Sequence, residues 1–249
     1  MERIIEICCG SYEDALAAHR GGAKRIELNS ALYLGGLTPS LGTLQLVKKN
    51  TDLKVIAMVR PRGAGFCYSE ADFEVMKTDA EILMETGADG IAFGCLDERG
   101  NIHIEQTQEI INIIKKYHGE VVFHRAFDCV KNPYESMETL ISLRVDRVLT
   151  SGLKEKAVDG VELIAKLQER YGEKIEILAG SGINASNVLD IMEKTGIYQI
   201  HSSCKGWVND PTTTGTGVSY SYVQGIHMND YDVVDEELVR ELVKNIKKQ

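Results

Sequence analysis

The chain has 249 residues, with 28 Lys and Arg against 37 Asp and Glu, and a net charge of −9. That balance excludes a general affinity for nucleic-acid backbones, which needs clustered cations. With 43% hydrophobic and 26% charged residues the composition is that of a globular protein with a sizeable core, and without a run of ~18 apolar residues no membrane span is expected.

Short apolar runs alternate with amphipathic segments from one end of the chain to the other. Strands are predicted at 3–8 (RIIEIC), 24–29 (KRIELN), 54–60 (KVIAMVR), 89–94 (DGIAFG), 120–126 (EVVFHRA), 146–151 (DRVLTS), 174–180 (KIEILAG) and 198–203 (YQIHSS). Between them apolar residues recur at helical spacing, as in Phe73, Met76, Ala80, Leu83 and Met84. Thr38-Pro39 offers a helix start with Pro in the first position, and Ser69 with Asp72 resembles a capping box. The glycines of "GGAKRIEL" and "TGADGIAF" read as helix ends before a strand.

Eight βα units imply parallel strands and right-handed crossovers, so the expected fold is α/β, a single-domain (β/α)8 barrel of TIM type over residues 1–249. An open doubly wound sheet is the weaker alternative, because "EICCGSYEDA" lacks the G-x-G-x-x-G turn of a dinucleotide site. Residues 205–230, after the eighth strand, read as a long irregular stretch and a candidate lid. The Lys-rich end "VKNIKKQ" reads as the last turn of a helix.

In such a barrel the active site forms at the C-terminal ends of the strands. There the sequence places Glu6 and Cys8, Glu27 and Asn29, Arg60 and Arg62, His124, Ala126 and Asp128, and His201 and Ser203. Within each strand these residues share one parity, as side chains facing the axis must. A satisfied internal pair, Glu6 or Glu27 with Arg60, would explain single members structurally. The whole set favours function, because burying this many ionisable groups is costly unless something uses them. Glu6, Glu27 and His124 are the acid or base candidates, with Asp128 and His201 in the same catalytic cluster, and Arg60 and Arg62 form an anion clamp. Gly180, Gly182, Ser202 and Ser203 lie in loops that commonly hold phosphate in this fold; alternatively the glycines only permit a tight turn before a helix near Asn184.

The N-terminal "MERIIEICCGSYEDAL" puts acidic residues where a signal peptide has a basic region, so a cytoplasmic location is expected. The six cysteines are then expected as reduced thiols, and none forms a C-x-x-C pair. Cys8, Cys9, Cys67, Cys95, Cys129 and Cys204 all map to the C-terminal ends of the strands or the loops beyond, where thiols select Cu(I) or zinc, although most such cysteines are simply small buried hydrophobes. Cys8 and Cys204 are the most suggestive pair, since closure sets the eighth strand beside the first.

These residues resemble the CutC family of copper homeostasis proteins through "EICCGSYEDAL", "GGAKRIEL", "GGLTPSLG", "VRPRGAGFCYS", "FHRAFD", "RVLTSG", "AGSGI" and "HSS", in order along most of the chain. The resemblance implies a cytoplasmic (β/α)8 barrel that serves copper homeostasis and binds copper, as Cu(I), through cysteines. Members tied to copper carry one cysteine matched here by Cys8 and another after the "RIEL" glutamate, where this chain has Asn29. A two-thiolate site would therefore need Cys204 or Cys67 in that role. The residues by themselves support a second reading, a barrel enzyme using acid/base chemistry on a small anionic or phosphorylated substrate. The expected partner is thus a copper ion or a small anion, and exposed barrel helices allow a homodimer.

Overall fold

The computed structural model describes residues 3–247. Eight parallel strands close a barrel in sequence order: β1 (Ile4–Cys9), β2 (Arg25–Leu28), β3 (Lys54–Met58), β4 (Gly90–Phe93), β5 (Glu120–Phe123), β6 (Arg147–Thr150), β7 (Glu176–Ala179) and β8 (Gln199–Ser202). Glu6 of β1 lies opposite Arg25 of β2 on one side and His201 of β8 on the other. The (β/α)8 expectation holds, and all eight predicted strands are present. The fifth stops early because His124 leaves the sheet and caps a 3-10 turn over Arg125–Cys129.

Helices α1 (Tyr12–Arg20), α2 (Leu41–Asn50), α3 (Glu70–Glu85), α4 (Ile104–Lys116), α5 (Pro133–Ser142), α6 (Val161–Tyr171), α7 (Val188–Thr195) and α8 (Glu236–Lys247) alternate with the strands. α3 starts at the predicted capping box, with Ser69 and Asp72 bonding reciprocally, and buries Phe73, Met76, Ala80, Leu83 and Met84. α2 departs from prediction: Ser40 is its N-cap, its hydroxyl accepting from the Thr43 amide, and Pro39 stays outside. α7 begins at Val188 rather than near Asn184, after a turn in which Asn184 accepts from the Ser186 amide. α8 carries Lys244 and Lys247 in its last turn, as expected; Lys248 and Gln249 lie outside the described residues.

The outward face of the strands packs under the helices through Ile7, Ile26, Val55, Ile91, Val121 and Val148, none of them exposed. Each such aliphatic side chain contributes ~1.5–3 kcal/mol by leaving water. The inward face is split. Ile56, Met58, Ala92 and Val122 make a small apolar cluster across β3, β4 and β5. Glu6, Arg25, Glu27, Arg147, Gln199 and His201 fill the other side and are also buried.

After β8 the chain forms a ribbon not foreseen in the sequence. β9 (Lys205–Asn209) pairs antiparallel with β10 (Asp230–Val234), so only the middle of the stretch expected to be irregular connects strands. The ribbon is tied down: Asp14 accepts from the Gly10 amide at 2.9 Å and from the Val234 amide at 2.7 Å. Tyr222 stacks on Tyr33 of the loop after β2, and Trp207 on His227. Among the described residues no helix is long and apolar enough to cross a membrane.

Candidate functional site

The base of the barrel is closed by charge. Glu6 is 1% exposed and pairs with Arg25 at 2.7 Å, while Arg147 lies 3.9 Å from Glu6 and bonds Glu120 and Glu176 at 3.2 and 2.8 Å. Arg25 also donates to Gln199 at 2.7 Å. Burial pushes the Glu6 carboxyl up, but Arg25, the His201 hydrogen bond and Arg147 together outweigh it and hold it at about 2. Glu6 is therefore a fixed anion and not a proton donor.

Above this layer a cavity of about 320 Å³ opens at the C-terminal ends of the strands. Its lining includes Cys8, Glu27, Arg60, His124, Arg125 and His201, with Ser181, Gly182, Ser202, Ser203 and Lys205 from the loops after β7 and β8. In one corner a ligand atom from each of Cys8, Glu27 and His201 falls within 4.8 Å of the others. His201 Nδ1 is 3.0 Å from Glu6 Oε1, which turns its Nε2 toward Glu27 Oε2 at 4.0 Å. The Asn29 amide donates to Glu27 Oε2 at 3.0 Å and to Cys8 Sγ at 3.6 Å, so Asn29 holds both groups together.

Burial would strip the proton from His201, yet its contacts with Cys8, Glu6 and Glu27 prevail and raise its pKa well above the ordinary value. Burial lifts Glu27, only partly opposed by His201, and lifts the Cys8 thiol as well. Glu27 Oε1 is buried, with no hydrogen-bond partner among the described residues. The corner thus holds an imidazolium beside a carboxyl group poised above its usual range, the arrangement expected of acid/base sites; a metal bound there would displace the His201 and Cys8 protons.

The far wall is different. Arg60, 5% exposed, donates to the carbonyls of Leu34, Gly36 and Ala64 at 2.8, 3.0 and 2.6 Å. Phe66 lies beneath its guanidinium at 5.0 Å and against the His124 ring at 5.1 Å. His124 Nδ1 accepts from the Ala126 amide at 3.1 Å. Burial first, and then the Arg60 charge, lower its pKa to about 3, so the ring is neutral.

Several expectations are corrected by these positions. Arg62 does not line the cavity; it bonds Asp72 at 3.0 Å and the Cys67 carbonyl at 2.9 Å, over the Tyr68 ring. Asp128 stands behind the lining, where it accepts from Thr150 Oγ1 at 2.6 Å and from Arg125 at 2.7 Å. It ties Arg125 to the loop after β6, where it also accepts from the Ser151 and Leu153 amides. Glu6 and Gly180 are also outside the lining: the Gly180 amide donates to the Thr150 carbonyl, and a Cβ there would come within 2.7 Å of Leu149. Ser202 lines the cavity, but its hydroxyl donates to the Ile183 carbonyl and accepts from the Cys204 amide. Gly182 and Ser203 remain on the lining. Cys204 bonds Ser202 at 3.6 Å and does not join the Cys8 corner, and Cys67 is exposed. The interior pairing expected of Arg60 with a glutamate belongs instead to Arg25 and Arg147.

The model of the CutC family matches residues 3–206. The chain belongs to the CutC family. A CutC family protein of Treponema denticola is 49% identical over 84% of each chain. The human copper homeostasis protein cutC homolog is 43% identical, covering 81% of this chain and 73% of its own. The solved CutC structure from Streptococcus agalactiae has 27% identity and a TM-score of 0.76, over 81% of this chain and 98% of that one. The family match ends within β9, so the cavity residues from Cys8 to Lys205 all fall inside it.

Proposed function

We propose that the cavity is a metal-binding centre in which Cys8, Glu27 and His201 take a copper ion. The observation that carries this reading is the convergence of three donor atoms of different chemistry within 4.8 Å. Glu6 supports it from below: a ligating histidine usually gives its other ring nitrogen to a carboxylate, which fixes the ring and its tautomer. One thiolate, one imidazole and one carboxylate form a mixed set suited to Cu(II) and Zn(II) as well as Cu(I). The missing second thiolate is replaced by Glu27 and His201, not by Cys204. The copper homeostasis names of the human and mouse relatives favour copper among these ions.

Titration with Cu(I) against a competing chelator, and with Cu(II) and Zn(II) separately, tests the reading. One equivalent should bind per chain, be lost in Cys8→Ser, and weaken in Glu27→Gln. Undiminished one-to-one binding in Cys8→Ser would sink it.

A second reading is favoured by the unpartnered Glu27 Oε1 and the raised Glu27 carboxyl. In it Glu27 exchanges a proton with a small anionic substrate and His201 acts as its charged neighbour. Turnover found in a metabolite screen should collapse in Glu27→Gln, and unchanged turnover removes Glu27 from catalysis.

A further inference from the structure

We infer that the Arg60–His124 wall of the cavity is a subsite for an oxyanion, the carboxylate or phosphate group of a small organic ligand. The inference takes the cavity as the working site but does not depend on metal in the Cys8 corner.

Arg60 is buried, and among the described residues no carboxylate pairs with it. Three carbonyls orient the guanidinium without neutralising it, and an uncompensated buried charge is expensive. The other two interior arginines, Arg25 and Arg147, both face carboxylates. Arg60 also lines the cavity, so the counter-charge it lacks has to arrive through that space.

His124 gives the second, independent observation. The Ala126 amide donates to Nδ1, which leaves the ring proton on Nε2. That Nε2 is buried and has no hydrogen-bond partner among the described residues, on a residue that is 3% exposed and lines the same cavity. Phe66 packs against both groups and fixes their relation.

The next residue, Arg125, has Nε tied to Asp128 and Nη2 tied to Ser151 and the Lys154 carbonyl, while its Nη1 takes no part in these bonds. Ser181 donates to the adjacent Glu155 carbonyl, so Arg125 and the Ser181–Gly182 turn grip neighbouring peptide groups of one loop. The wall therefore offers donors and positive charge, which only an acceptor-rich anion satisfies. At about 320 Å³ the cavity sits at the small end of ligand pockets, which run ~300–1,000 Å³, so the ligand is a small metabolite and not a polymer end.

Calorimetric titration of the full chain with inorganic phosphate and, separately, with acetate tests the subsite. At least one anion should bind, and its affinity should fall roughly tenfold to a hundredfold in Arg60→Gln. Should that variant fail to fold, His124→Phe keeps a flat ring and removes the Nε2 donor, and it should weaken the same anion severalfold. Stronger binding of phosphate assigns a phosphate ester, stronger binding of acetate a carboxylate. Absence of binding by either anion at millimolar concentration overturns the inference, as does affinity unchanged in His124→Phe. Phosphate binding lost in Cys8→Ser yet kept in His124→Phe also overturns it, because the anion would then depend on the metal corner. Failure of the metal titration leaves the phosphate result standing, so the two readings fail separately.

Discussion

The base of the barrel and its upper cavity both bury arginine, but they treat it in opposite ways. Arg25 and Arg147 are locked among Glu6, Glu120 and Glu176, with each charge answered by protein. Arg60 is held by carbonyl oxygens and the Phe66 ring, with no carboxylate paired to it among the described residues, and it lines the cavity. The first arrangement completes itself within the barrel; the second is the one we propose an anion completes. Burial of charge alone is therefore no ground for proposing a ligand, whereas burial without a counter-charge beside a cavity is.

The largest expected effect breaks the self-completed side. Glu6→Gln leaves Arg25 without its nearest anion and should destabilise the protein by about 3–5 kcal/mol in urea unfolding, as loss of one partner of a buried pair does. A loss below about 1 kcal/mol would show that the base is not held by charge.

The next effect sharpens the open side through His124. Its folded pKa, about 3, lies below the ordinary 6.5, so the unfolded chain takes up the proton first. The neutral ring's contribution is full above pH 6.5 and is lost as pH falls toward 3. Between pH 7 and pH 4 the wild type should lose about 3 kcal/mol that a folded His124→Gln variant does not lose. Parallel pH curves for the two proteins would show that His124 is not buried neutral.

The smallest effect tests redundancy at the base. Glu176 is 40% exposed at its side chain and is one of three carboxylates near Arg147, so Glu176→Gln should cost under about 1 kcal/mol. A cost close to that of Glu6→Gln would mean that the base acts as one indivisible network.

Much of this was legible in the sequence. Strand periodicity located all eight barrel strands, and parity placed Glu6, Cys8, Glu27, Arg60, His124 and His201 on the inner face. Arg25, Arg147 and Gln199 share that parity but stand at the starts of their strands, so the search at strand C-termini passes over them, whereas parity along whole strands finds them. Arg125 stands inside the "FHRAFD" motif, but parity turned it outward, and the early exit of the chain at His124 brings it to the cavity. Arg62 and Asp128 followed the parity rule past the ends of their strands, where it no longer applies. The β9–β10 ribbon is hidden in the sequence because its strands are half-exposed and separated by a turn-rich stretch, and its anchor, Asp14, lies on a helix far away in the sequence.

The junction of β1 with β8 has a consequence for how the protein comes into being. Cys8 and Glu27 are made early, while His201 reaches Glu6 from 195 residues further along the chain. A nascent chain lacking β8 carries the thiol and the carboxylate but no imidazole, and the Glu6 that should orient one has only Arg25 and Arg147 for company. Such long-range closure is a slow, late event in folding. The cavity corner therefore comes into existence only when β8 has joined β1, and a ligand that needs all three groups binds only chains whose barrel has closed.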